Sequence, residues 1–150
     1  MLIRRMEEGD HEVLADLWEG FPGTTMTTAD DREHFEAFLG RNGEFCFVAV
    51  DDQGKVKGSV MAGFDGRRGY IYHLAVASEL QHRGTGRDLM AAAEESLRSA
   101  GVEKAHLFIY VDNPAVSFYE RTGWHRRNDI LVMSRVLIGD EYTGTRKPDR

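Results

Sequence analysis

Residues Gln81–Gly86, "QHRGTG", stand between a strand-like run, "YIYHLAVASEL", and a long amphipathic run, "RDLMAAAEESLRSAG". Glycine weakens helices and adds backbone freedom that folding must remove, so two of them beside a helix start need a reason. A strand, a Gly-rich turn and a helix N-terminus together make an anion site. The first helical amides have no internal acceptor, and the dipole end is positive. Glycine also lets phosphate oxygens reach backbone N–H groups with no Cβ in the way. Arg83 and Arg87 flank the turn and can add positive charge. On spacing alone, an ordinary strand–helix connection accounts for the same residues equally well. Two phosphate-binding patterns are excluded. No Lys-Ser/Thr follows the second glycine, as a P-loop requires, and no G-x-G-x-x-G opens an early βαβ unit.

The elements that must position this turn can be read along the chain. Leu2–Met6 forms a short first strand. Asp10 is placed to cap a helix with Val13, Leu14, Leu17 and Trp18 on one stripe. Thr27 and Thr28 each precede an Asp by three residues, a capping-box spacing before a second helix with Phe35, Phe38 and Leu39 inward. Phe45–Val50, apolar on both faces, reads as a central strand. Turns at Asp51–Lys55 and Asp65–Gly69 link it to strands at about Val56–Phe64 and Tyr70–Val76. A helix follows the Gly-rich turn, with Leu89, Met90, Ala93, Leu97 and Ala100 at helical spacing, Glu94 able to pair with Arg98, and Gly101 as its stop. Lys104–Val111 is a further strand. "DNPAVSFYERTGW" is a short helix with Asn113 as N-cap, Pro114 at N1 and Gly123 at C′. Ile130–Leu137 reads as a final strand. The front strands pair as antiparallel hairpins. The helix between Val76 and Lys104 is a crossover that sets two strands parallel.

Composition bounds the rest. The chain has 150 residues, which suits one domain over residues 1–138 with a polar tail at 139–150. Hydrophobic content of 41% and charged content of 29% place it with soluble globular proteins. "MLIRRMEEGD" carries no signal-peptide core, and no apolar run reaches membrane-spanning length, so a cytoplasmic protein without membrane contact is expected. A net charge of −6 argues against nucleic acid as a partner. The one cysteine, Cys46, excludes an internal disulfide, and it reads as a small buried hydrophobe. Six scattered histidines, with no HxH or HExxH, give no metal site.

The pattern "LAVxxxxQHRGTGRxLM", then a helix, a strand and "NPAVSFYERTGW", resembles the GNAT superfamily of acyl-CoA-dependent N-acyltransferases. That family's Q/R-x-x-G-x-G/A motif is met by Gln81, Gly84 and Gly86. Its second motif is met by Asn113, Phe118, Tyr119, Gly123 and Trp124. The element order matches from Leu2 to about Leu137. "GFDGRRGYIYHLAV" and "VLIGDEY" are most similar to small bacterial acetyltransferases of the YpeA type, a likeness that implies no particular substrate.

The resemblance implies an α/β fold: a mixed, mostly antiparallel sheet flanked by helices, with parallel central strands that splay. It implies acetyl-CoA as co-substrate, an amine as acceptor, and allows a homodimer. The turn from Gln81 through Arg83, Gly84, Thr85 and Gly86 to Arg87 would hold the pyrophosphate, mostly through backbone amides. The pantetheine arm would pair with the backbone of Leu74 and Val76. Asn113 and Phe118 would contact the coenzyme, and Tyr119 would protonate the departing thiolate. A strand amide would stabilise the oxyanion.

No residue is assigned as base. Tyr70, Tyr72 and His73 lie on the strand beside the wedge, and a water chain could serve. Alternation puts Tyr70, Tyr72 and Leu74 on one face and His73 on the other, where it reads first as a packed histidine. Trp18, Phe21, Met26 and Phe35 are candidate linings of an acceptor pocket, and core packing explains Trp18 and Phe35 as well. Arg67 and Arg68 read first as a solvated hairpin tip. Beside the enzyme stands an alternative, a module of the same fold that binds acyl-CoA without turnover.

Overall fold

The computed structural model describes residues 1–139. They fall into two compact units, Met1–Phe108 and the chain from Ile109 onward. In the first, five strands form one sheet in the order β1-β2-β3-β4-β5. These are β1 (Leu2–Arg5), β2 (Phe47–Val50), β3 (Val56–Phe64), β4 (Gly69–Val76) and β5 (Ala105–Leu107). The first four are antiparallel neighbours, and β5 alone runs parallel, beside β4. The expected mixed sheet and its crossover are therefore present.

Helices α1 (His11–Glu19), α2 (Arg32–Asn42) and α3 (Thr85–Ser99) cover the two faces of the sheet. Strand β3 shows the division. A Cβ placed on Gly63 would meet Phe38 of α2, and one on Gly58, of opposite parity, would meet Leu89 Cδ1 of α3 at 3.1 Å. The α1/α2 side holds Leu14, Trp18 and Phe35 against Cys46, Val48, Met61 and Ala75. Cys46 is wholly buried there, and burial pushes its thiol up to about 12, so it is inert.

On the other face, Leu89, Met90, Ala93 and Leu97 are buried as their spacing predicts, whereas Ala100 is exposed. Leu89 stands one turn beyond the glycine turn and anchors the helix that presents it. Leu89→Ala should cost about 3 kcal/mol, a typical loss for a fully buried leucine. A lowered urea midpoint at unchanged slope would show this.

Several local expectations are corrected. Asp10 does not cap α1. Its carboxylate accepts from Glu7 N at 2.9 Å, closing the 3-10 turn Glu8–Asp10, and it takes both Arg4 nitrogens at 2.8 Å. Of the two capping boxes, only Thr27–Asp30 forms, and Asp31 caps α2 by accepting from His34 N. Arg98 pairs with Glu95. Strand β5 is shorter than Lys104–Val111.

In the second unit, α4 (Val116–Arg121) is the helix. The expected strand Ile130–Leu137 is irregular, and Leu131, Met133 and Leu137 are almost fully exposed. A strand needs a neighbour for its backbone groups, and among the described residues this segment pairs with none. Apart from residue 139, the polar tail lies outside the described residues.

Candidate active site

The glycine turn is built by backbone conformation. Strand β4 ends at Val76, the 3-10 turn Ser78–Leu80 follows, and Gly84 sits at the N-cap of α3 with φ of +91°. That left-handed conformation is open to glycine and strained for other residues. His82 is also left-handed, at φ of +60°. The first bond into the helix runs from Asp88 N to Gly84 O at 3.0 Å. The amides of Thr85, Gly86 and Arg87 precede it and have no intrahelical acceptor. Thr85 is buried, whereas Arg83 and Arg87 reach solvent, and the Arg87 guanidinium lies 3.4 Å from where a Cβ on Gly84 would stand. Gln81 turns its side-chain amide back onto Val76 O at 3.1 Å, tying the turn to the strand end.

Strand β4 leads into that turn along an open edge. Its parallel pairing with β5 covers Gly69–Ile71 and ends at Ile71↔Leu107. From Tyr72 onward, among the described residues, this edge has no strand partner. On the opposite edge Ala77 N donates to Lys57 O at 2.8 Å. Backbone groups alternate along a strand, so those of Ala75 face β3 and those of Leu74 and Val76 face the open edge. The parallel pair that was expected is present over Gly69–Ile71.

A bulge sits in the same stretch. Ser59 pairs with Ala75 and Met61 with Tyr72, leaving Val60 opposite both His73 and Leu74. His73 takes φ of +47° to make it. The inserted residue breaks the two-residue period, which corrects the expected facing. His73 shares the α1/α2 side with Tyr72: it stacks on Trp18 at 4.2 Å, while Tyr72 meets Phe38 edge-on at 5.8 Å. His73 Nε2 bonds Asp30 Oδ1 at 2.5 Å. Burial works to raise the Asp30 pKa, but the bonds from His73 and Thr27 hold it below the usual carboxylate range. Asp30, the partner of His73, is a residue that sequence reasoning did not single out. Its capping-box spacing was visible, but its partner 43 residues away was not.

Beside β4 lies a cleft of about 280 Å³ between the end of α1 and the strand end. Asp16, Phe21 and Pro22 line one side and Val76, Ser78 and Gln81 the other. Of the proposed pocket residues, Phe21 is thus at the cleft. Trp18 and Phe35 are wholly buried core, and Met26 packs against that core. Arg67 and Arg68 are at the hairpin tip, their amides held by Asp65 Oδ1. Tyr70 lies against the rings of His106 and Phe108.

In the second unit, Asn113 Oδ1 accepts from Ala115 N at 2.9 Å, two residues on, as an N-cap does, although continuous helix starts at Val116. Gly123, at φ of +99°, ends α4 with Trp124 N on Tyr119 O. Tyr119 packs between Phe118, at 5.2 Å, and Trp124, at 6.3 Å. Burial pushes its phenol up to about 12, so it keeps its proton across the neutral range. Among the described residues no cluster of His, Cys, Asp and Glu could hold a metal, and no helix is long and apolar enough to cross a membrane.

A sequence profile of the acetyltransferase (GNAT) family matches residues 11–124. The chain belongs to that family and is an acetyltransferase. An acetyltransferase of Yersinia enterocolitica is 30% identical over 143 residues, 95% of this chain and 100% of that one. Among solved structures, a putative acetyltransferase from Agrobacterium tumefaciens superposes with a TM-score of 0.71 at 24% identity, over 90% of this chain and 100% of that one. AAC(6')-Iy, in complex with the bisubstrate analogue CoA-S-monomethyl-acetylneamine, superposes with a TM-score of 0.69 at 18% identity, over 90% and 97%.

Proposed function

We propose that this chain transfers the acetyl group of acetyl-CoA to a primary amine by direct attack in a ternary complex. The observation that carries the reading is the continuity of an open strand edge with an amide-lined turn. The edge offers the backbone of Leu74 and the amide of Val76, whose carbonyl already accepts from Gln81, to an extended arm. The turn offers the amides of Thr85, Gly86 and Arg87 to a pyrophosphate at the other end of that arm. Arg83 adds charge beside it. AAC(6')-Iy, of the same fold, was solved with a coenzyme A conjugate of an amine, which supports the pairing of these two substrates. The family match spans both compact units and supports one functional domain over residues 1–138.

In this reading the amine nitrogen attacks the thioester carbonyl carbon. The oxyanion is held by a strand amide, the C–S bond breaks, and Tyr119 donates to the departing sulfur. Asn113 and Phe118 contact the coenzyme. Acetyl-CoA is to be titrated calorimetrically, with pantetheine as the comparison. Coenzyme A release is then to be followed with a panel of primary amines: a lysine peptide, a free-N-terminus peptide and an aminoglycoside. Binding that depends on the pyrophosphate, with amine-dependent release, is expected. Equal binding of pantetheine, or release that ignores the amine, would overturn the reading.

A further inference from the structure

We infer that His73, oriented by Asp30, is the general base of the transfer, an inference that rests on the acetyl-transfer reading above. Five observations converge on the pair. His73 lies in the bulge of β4, next to the backbone of Leu74 proposed to hold the arm. Its left-handed backbone, at φ of +47°, is strained for a residue other than glycine, and such strain collects at functional sites. Its ring is fixed by stacking on Trp18, and its carbonyl by accepting from Ser59 Oγ at 2.9 Å. Ser59 Oγ in turn accepts from Trp18 Nε1 at 2.8 Å. One ring nitrogen, Nε2, is committed to Asp30 Oδ1.

The last observation sets the chemistry. A carboxylate holds the proton on the nitrogen it contacts, so Nδ1 of the neutral ring is left with its lone pair. Asp30 is itself held, its second oxygen taking Thr27 N at 2.9 Å and its backbone carbonyl contacting His11 Nε2 at 2.9 Å. Asp30 and, through that carbonyl, His11 are the titratable groups facing the pair from the helical side. Trp18 and Ser59 are neutral. The His73 side chain is 16% exposed, so the ring is pinned yet not sealed.

As the amine nitrogen bonds the carbonyl carbon, its proton passes to Nδ1 of His73. The electrons of the C–S bond leave with sulfur, which takes its proton from Tyr119. The imidazolium and the tyrosinate are reset through solvent after product release.

The test is removal and chemical rescue. His73→Gly suits the left-handed backbone and opens a ring-sized space. Its kcat should fall about a hundredfold, the lower end of general-base contributions. Acetyl-CoA affinity should stay within about twofold, too small a change for a lost binding group. Added imidazole should restore at least a tenth of the loss after the enzyme-free rate is subtracted, with the acid limb of the rescued profile following the pKa of whichever substituted imidazole is used. Asp30→Asn should lower kcat about tenfold at unchanged KM for acetyl-CoA, as a lost orienting group would. His73→Asn, also compatible with the backbone, replaces His73→Gly should the latter not fold, and is read by a fall in kcat at unchanged acetyl-CoA affinity. Activity within threefold of the parent in the His73 variant, or a folded His73→Gly enzyme that imidazole does not rescue, overturns the inference. A parent protein without amine-dependent release overturns the underlying reading instead, and the inference with it.

Discussion

Gly84→Asp is expected to weaken acetyl-CoA binding about a hundredfold by calorimetry, equivalent to roughly 3 kcal/mol. Two effects combine. Gly84 has φ of +91°, so any side chain strains the N-cap of α3, and its Cβ would come within 3.4 Å of the Arg87 guanidinium. The larger effect is charge. A carboxylate at the helix start occupies the positive end of the dipole and repels phosphate oxygens, an interaction worth about 4 kcal/mol for unit charges 4 Å apart in a surface-like dielectric. Gly84→Ala carries the strain without the charge and should lose no more than about tenfold. Affinity for pantetheine should be the same in all three proteins. An aspartate variant that binds acetyl-CoA like its parent would show that the turn does not hold the pyrophosphate.

Tyr119→Phe is expected to lower kcat by about a hundredfold while leaving acetyl-CoA affinity within twofold. The ring and its contacts with Phe118 and Trp124 survive the substitution, so folding should be preserved. Only the phenolic proton is lost. With that phenol pushed up to about 12, its ionisation cannot produce an alkaline fall in activity near pH 9 or 10. The sign is fixed: the protonated donor predominates at every pH below its pKa. The same value limits how it acts. A free thiolate of ordinary pKa, about 8.5, is a weaker base than this tyrosinate, so outright transfer to it is uphill. The donation helps most while the C–S bond is still breaking and the sulfur is only partly charged. A phenylalanine variant with full turnover would remove Tyr119 from this role.

Much of the frame was legible because it is written in local chemistry. Gly54 and Gly66 mark the hairpin turns, the run Phe45–Val50 that holds β2 is apolar on both faces, and the buried stripe of α3 repeats at helical spacing. The glycine turn was legible as a backbone feature, since φ of +91° at Gly84 is what a glycine there is for. What escaped depends on distant partners. Nothing local says that Asp10 will face Arg4 rather than cap α1, or that Asp30 will meet His73. The bulge escaped for a different reason. Alternation is a period-two rule, and one inserted residue, His73, moves its ring to the side of Tyr72. The segment Ile130–Leu137 has the apolar, β-branched composition of a strand, but composition cannot supply the neighbour that a strand requires.

The contact of Gln81 with the Val76 carbonyl has a metric consequence. It occupies the last outward acceptor of β4, just as β5 occupies the first part of the same edge up to Ile71. Between these two stops the edge is a berth of fixed extent, about 16 Å at the usual strand rise. In the proposed reading, an arm moored at the glycine turn has this length of strand edge to pair with. The bulge at His73 lies inside this berth, three residues or about 10 Å from Val76, so an arm filling the whole edge would pass it before meeting the β5 pairing.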